Sequence, residues 1–225
     1  MGPKNKQITG NIWQVGGSGL TAPDDAAAYL IAFRGAAALV DAGCGNAIDM
    51  LLANIESTGT PLDQVGLLLL THCHYDHSGG AAEIRRRLGC RTAAHALDAE
   101  WIESGDDQIT AAGWYGQPMD PCPVDVRLAG GERLIIGDGC VEVIAIPGHS
   151  PGSVAYRVDS AGKDVLFAQD VHGPLHPDLR SNRTDYQASL RRLLNLRADI
   201  LCEGHYGVFT GKEAVAAFVR SFLAS

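Results

Sequence analysis

Within the ten residues from Thr71 to Gly80, THCHYDHSGG, stand three histidines and one aspartate. The whole chain has only eight histidines, so this crowding asks for a chemical reason. Imidazole nitrogens and carboxylate oxygens are the usual ligands of zinc and related divalent metals. His72 and His74 lie two apart, and in an extended segment such residues point the same way. Both rings can therefore reach one ion. Asp76 and His77 follow where the chain turns and can face a second ion beside the first. Cys73 alternates with the two histidines and is expected to point away into the core. Three more candidates lie further on. His149 sits in IPGHSPGS, between two Pro/Gly pairs, Asp170 ends DVLFAQD, and His205 ends DILCEGH. A buried aspartate is costly unless something offsets its charge, and a divalent cation would do that. A lone histidine after a strand is ordinarily a hydrogen-bonded loop residue. That reading applies to His95, His172 and His176, which are not assigned as ligands.

Such ligands need strand ends to hold them. Strand-like runs recur in NIWQVG, AAYLIAF and AAALVDAG, followed by a helical stretch from about Ala47 to Ser57. VGLLLL, just before the cluster, reads as a strand buried on both faces. GGAAEIRRRLG reads as a helix stopped by Gly89, RTAAH as a strand and ALDAEWIES as a helix. From Gly105 to Pro123 the pattern breaks down into a long loop. A β-rich run follows, then the helix DYQASLRRLLNL, the strand DILCEGH and the helix KEAVAAFVRSFLAS. Two halves, each of strands then helix, suggest two sheets packed face to face with helices outside. The expectation is a single α/β domain over residues 1–225.

Composition narrows the partners. With 46% apolar residues the 225-residue chain can build a full core. Its formal charge of -8 disfavours nucleic acid. The N-terminus lacks the apolar run of a secretory signal, and every apolar run is too short for a membrane span. The six cysteines form no CxxC pair and read as reduced thiols of a cytoplasmic protein. The expected partner is a small molecule rather than nucleic acid or membrane, with a homodimer as the assembly to look for.

THCHYDHSGG resembles the H-x-H-x-D-H motif of the metallo-β-lactamase fold superfamily. LVDAGCG (39–45), IPGHSPGS (146–153), Asp170 and EGH (203–205) resemble its other motifs in the expected order. The resemblance implies an αβ/βα sandwich of two mixed sheets with a two-metal site. Position by position, it implies that His72, His74 and His149 bind one ion, that Asp76, His77 and His205 bind the second, and that Asp170 bridges them. The cofactors would be two divalent ions, zinc first and iron or manganese as substitutes. A hydroxide shared between ions about 3.5–4 Å apart would attack a small ester, thioester or lactone, with Asp76 orienting it or carrying a proton. Asp170 resembles the glyoxalase II branch, whereas class B β-lactamases lack that bridging carboxylate. The chain runs only 20 residues past His205, where glyoxalase II continues into a helical domain, and has Gly173 where acyl-homoserine lactonases carry tyrosine. The alternative is an iron oxygenase similar to the persulfide dioxygenases, with His72, His149 and Asp170 around a single iron.

Substrate contacts are expected from loops near these ligands. His172 and Arg180 follow Asp170, and arginine can hold a carboxylate through two hydrogen bonds. Trp114 and Tyr115 could form an apolar wall, and Tyr206 directly follows a ligand. Trp101 is expected in the core, and the arginines of IRRRLG on a solvated helix face.

Overall fold

The computed structural model describes residues 2–224. Seven strands make the first sheet: β1 (Lys6–Thr9), β2 (Ile12–Gln14), β3 (Tyr29–Phe33), β4 (Ala36–Val40), β5 (Val65–Leu69), β6 (Arg91–His95) and β7 (Val126–Leu128), ordered 1-2-3-4-5-6-7. β1 to β4 pair antiparallel, and β4 to β7 run parallel. Six strands make the second: β8 (Arg133–Ile136), β9 (Gly139–Ala145), β10 (Val154–Ser160), β11 (Lys163–Phe167), β12 (Ile200–Cys202) and β13 (Val208–Thr210), ordered 13-12-11-10-9-8. Only the β11–β12 pair is parallel there. The helices are α1 (Ile48–Glu56), α2 (Tyr75–Ser78), α3 (Ala81–Leu88), α4 (Ala96–Ser104), α5 (Arg183–Leu196) and α6 (Lys212–Arg220).

Three buried clusters bind four layers. Tyr29, Leu69, Val143, Tyr156 and Phe167 fill the space between the sheets. Leu39, Leu68, Leu70, Leu51, Ile84 and Ile102 join the first sheet to α1, α3 and α4. Leu166, Leu201, Leu190, Leu193, Val215 and Val219 join the second sheet to α5 and α6. The strand around β5 shows why its sequence is a continuous apolar run: Leu68 and Leu70 face helices, while Leu69 faces the other sheet. All three are fully buried, each worth about 1.5–3 kcal/mol. Cys73 lies in the helix-side core, as the alternation with its neighbours requires. All six cysteines are unpaired thiols.

Several expectations are refined. β1 and β13 were not read from the sequence. The segment 105–123 is ordered, with a 3-10 turn at Ala112–Tyr115. The last helix stops at Arg220, five residues short of the expected end. The IRRRLG arginines pair at the surface: Arg85 with Asp125, Arg86 with Glu83, and Arg87 with Asp49 at 2.9 Å. No described helix is long and apolar enough to cross a membrane.

The layers bring the carboxyl ends of β4, β5, β11 and β12 to one rim. Asp41 follows β4, His72 follows β5, Asp170 follows β11 and His205 follows β12. Asp41 and Asp170 take left-handed backbone (φ 60° and 51°). Aspartate tolerates this better than most residues, and the turn aims each carboxylate into the rim.

Candidate metal centre

The seven expected ligands meet at that rim. His72, His74, His149 and Asp170 form one group and Asp76, His77 and His205 another, with the donor atoms of each group within 4.8 Å of one another. Asp170 reaches across both. Its Oδ2 lies 3.1 Å from His149 Nε2 and 3.9 Å from His72 Nε2. Its Oδ1 lies 3.1 Å from His77 Nε2 and 3.2 Å from His205 Nε2. Asp76 Oδ2 lies 3.2 Å from His205 Nε2 and 3.5 Å from His77 Nε2.

The residues fit divalent ions on a test internal to the structure. Among the described residues, six buried side-chain N or O atoms have no hydrogen-bond partner, and four belong here: Nε2 of His72, His74 and His77, and Oδ1 of Asp170. Some of them approach one another closely, yet without hydrogen-bond geometry. Buried polar groups are otherwise almost always paired, so this local deficit marks atoms shaped to coordinate something else. Imidazole nitrogens and carboxylate oxygens are the donors that zinc takes.

Backing contacts set the tautomers. His149 Nδ1 donates to the Pro174 carbonyl at 2.8 Å, so its Nε2 keeps the lone pair that faces Asp170 and meets His74 Nδ1 at 2.8 Å. His77 Nδ1 donates to Asp41 Oδ2 at 2.9 Å. Asp41 is fully buried and also accepts from the N–H and hydroxyl of Thr71, each at 2.8 Å. Such outer contacts fix ring orientation.

The charges balance in a telling way. Burial, helped by neighbouring rings, pushes His72 and His74 well below the usual imidazole range, so both rings are neutral and have lone pairs to give. Burial also disfavours a charged His77 and His205, but here the carboxylates win. The negative charges of Asp170 and Asp76, with the hydrogen bond that His77 donates to Asp41, hold His77 well above its ordinary value. His205 is raised to about 9 by the carboxylates of Asp170 and Asp76 that face it at 3.2 Å. Burial alone would raise Asp170 and Asp76; the facing imidazoles, His77 foremost, instead hold both low. Burial raises the Asp41 carboxyl. The proton between it and His77 nevertheless belongs to the ring, since Asp41 already accepts two hydrogen bonds from Thr71. In the metal-free protein, protons on His77 and His205 thus stand where cations would.

Above the ligands lies a cavity of about 250 Å³, walled by Ala111, Trp114, Tyr115, His172, Pro174 and Leu179. Trp114 is 55% exposed at its edge, and Tyr115 packs against Tyr75 at 5.4 Å. Tyr206 lines a neighbouring groove that shares Tyr115 and His205 with the cavity. Arg180 is placed otherwise than expected. Leu179 takes the wall position, and the Arg180 guanidinium lies over Trp101, 5.2 Å from its ring centre. Of the unassigned histidines, His95 caps α4 by accepting the Leu97 N–H, and His176 packs edge-on against Trp114 at 5.3 Å.

Two residues were missed at the sequence level. One is Asp41, visible only as part of LVDAG. The other is Glu203, fully buried. Its Oε1 accepts from His172 Nδ1 at 2.9 Å, and its Oε2 accepts the N–H groups of His205 and Tyr206 at 2.7 and 2.8 Å. It therefore shapes the turn bearing His205 and aims His172 at the cavity.

Known proteins agree with this geometry. A hydroxyacylglutathione hydrolase of Acidiphilium cryptum is 34% identical over 145 residues, covering 63% of this chain and 49% of that protein. A probable metallo-hydrolase of Bacillus subtilis, YqgX, is 34% identical over 105 residues, 46% of this chain and 48% of the other. The chain thus spans about half the length of these relatives. A metallo-β-lactamase from Cronobacter sakazakii superposes with a TM-score of 0.83 over 98% of this chain and 92% of its own, at 23% identity, a likeness of fold alone. The profile of the metallo-beta-lactamase superfamily matches residues 21–205. With the motifs, the two sheets and the ligand rim in register with that match, the chain belongs to the metallo-beta-lactamase superfamily.

Proposed function

We propose that this protein is a hydrolase that uses two divalent metal ions, zinc foremost, to cleave a small ester, thioester or lactone. The observation that carries the reading is Asp170, whose two oxygens face the two histidine groups separately. Asp76, His77 and His205 turn toward that carboxylate or toward one another and form a second donor group. When bound, two such ions supply a hydroxide nucleophile near neutral pH and polarise the carbonyl under attack. Asp76, at the cavity floor and held against His205, is placed to orient the attacking water or carry its proton. Trp114, Tyr115 and Leu179 exclude water and seat the acyl group. The names borne by the relatives, hydroxyacylglutathione hydrolase and metallo-hydrolase, support the reaction class.

The test is hydrolysis of matched thioesters, lactones and phosphodiesters by protein stripped with chelator and reconstituted with Zn²⁺. Metal-dependent cleavage of a thioester or lactone is expected. Oxygen consumption with persulfides and no carbonyl cleavage would overturn the reading in favour of an iron oxygenase.

A further inference from the structure

Two separate loops deliver the histidines of the first group. His72 and His74 follow β5, whereas His149 follows β9. Whether three rings meet at one ion depends on what joins those loops. One fully buried side chain, Asp98 in the first turn of α4, touches both. Its Oδ2 accepts the Cys73 N–H at 3.0 Å and the Ser150 hydroxyl at 2.6 Å. Its Oδ1 accepts the Gly152 N–H at 2.6 Å. Cys73 lies between the two histidines of the first loop, and Ser150 is next to His149 in the second. Gly152 comes so close that a Cβ there would lie 2.4 Å from Asp98 Oδ1. Other joins exist: the Val154 N–H donates to the Thr71 carbonyl at 2.8 Å, and the facing nitrogens of His74 and His149 are 2.8 Å apart. Asp98 differs in gripping the backbone beside the ligands with a carboxylate whose partners are two amides and a hydroxyl, hydrogen bonds stronger than neutral ones.

We propose that Asp98 is a positioning residue for the first metal group, locking the two ligand loops in the separation at which His72, His74 and His149 share an ion. Asp41, by contrast, joins His77 of the second group to Thr71, the residue before His72. The inference rests on the two-group reading of the centre. A buried carboxylate that merely stabilised the fold would be felt equally by both groups; a clamp on one pair of loops is felt by one.

Cobalt(II) titration of chelator-treated protein, followed by visible absorption, separates these outcomes. His205→Ala weakens the second group and exposes the first, and His149→Ala does the reverse. Asp98→Asn, which presents an NH₂ to groups that are themselves donors, is added to each background. Weakening of about 10–100-fold at the first group is expected, the usual scale for residues that orient ligands, with the second group unchanged. Equal weakening of both groups, or of neither, would overturn the proposal. If Asp98→Asn fails to fold, Ser150→Ala decides, since it removes one of the three hydrogen bonds and nothing else from the clamp. A loss of roughly 2–12-fold at the first group alone is expected, and no loss overturns the clamp. Asn54→Ala is the control, because it removes a buried side chain that bonds the Val15 and Leu20 carbonyls. It should lower the melting temperature of the metal-free protein without changing cobalt affinity. Protein with native Asp98 that binds only one Co²⁺ would refute the two-group reading itself, a result independent of the Asp98 comparison.

Discussion

Asp170→Asn puts the bridging assignment at risk with almost no change of shape. The carboxylate is 5% exposed, and its two oxygens face His149 and His72 on one side and His77 and His205 on the other. The substitution keeps one acceptor and removes one negative charge. A unit charge pair at 4 Å contributes about 4 kcal/mol at an effective dielectric of 20, the regime appropriate to a buried protein site. Loss of even one such term against a bound cation corresponds to about a thousandfold in affinity or rate. The variant is therefore expected to lose about three orders of magnitude in kcat/KM, or to retain close to one metal ion per chain. The assay is thioester hydrolysis at saturating Zn²⁺, with metal content measured on the same sample. Arg180→Ala is the comparator, because its guanidinium stacks on Trp101 instead of lining the cavity; it should stay within about twofold of wild type, as surface changes usually do. If Asp170→Asn kept the wild-type rate with two ions bound, or fell less than Arg180→Ala, the bridging role would be wrong.

Other perturbations have expected directions. Trp114→Ala removes part of the cavity wall and should raise KM about tenfold, an effect on the order of 1.4 kcal/mol, with kcat changed far less; an unchanged KM would remove Trp114 from the substrate site. At Gly148 (φ +134°) a Cβ would lie 2.2 Å from the Tyr186 N, so Gly148→Ala should destabilise the fold by at least about 2 kcal/mol, read as a melting temperature lower by at least roughly 4 °C, and should weaken metal binding through His149. In the metal-free protein, His77 and His205 bind their protons more tightly folded than unfolded. The stability this gives is complete below about pH 6.5 and is lost as pH rises toward about 9 for His205. The metal-free melting temperature should accordingly fall over that window. Metal-loaded protein, whose rings carry no such protons, should show no matching fall, and parallel curves for the two forms would refute the proton-for-metal exchange.

What could be read in the sequence depended on how local the signal was. THCHYDHSGG announces itself because four candidate ligands, three histidines and an aspartate, stand within six residues just after a buried strand. The strand itself was legible because Leu68, Leu69 and Leu70 are buried against opposite layers, which demands an unbroken apolar run. β1, KQIT, carries no such mark, since it is an exposed edge strand whose pairing with β2 comes from the tertiary fold. The contact of Asp98 with Cys73 and Ser150 spans 25 and 52 residues; in ALDAEWIES it looks like any acid in a first helical turn. Glu203 likewise reads as a surface carboxylate until His172, 31 residues away, is seen against it. Arg180 was misplaced because chain proximity to Asp170 says nothing about which side of a turn faces the cavity. Leu179 faces it, and Arg180 lies over Trp101 instead.

The most direct test of the two-metal centre is metal content by plasma mass spectrometry, on protein purified without chelator or added metal. Close to two divalent ions per chain, zinc alone or zinc with iron or manganese, is the expected result. Close to one iron per chain would contradict it, since His77 and His205 would then hold protons beside Asp76 where a second cation was assigned.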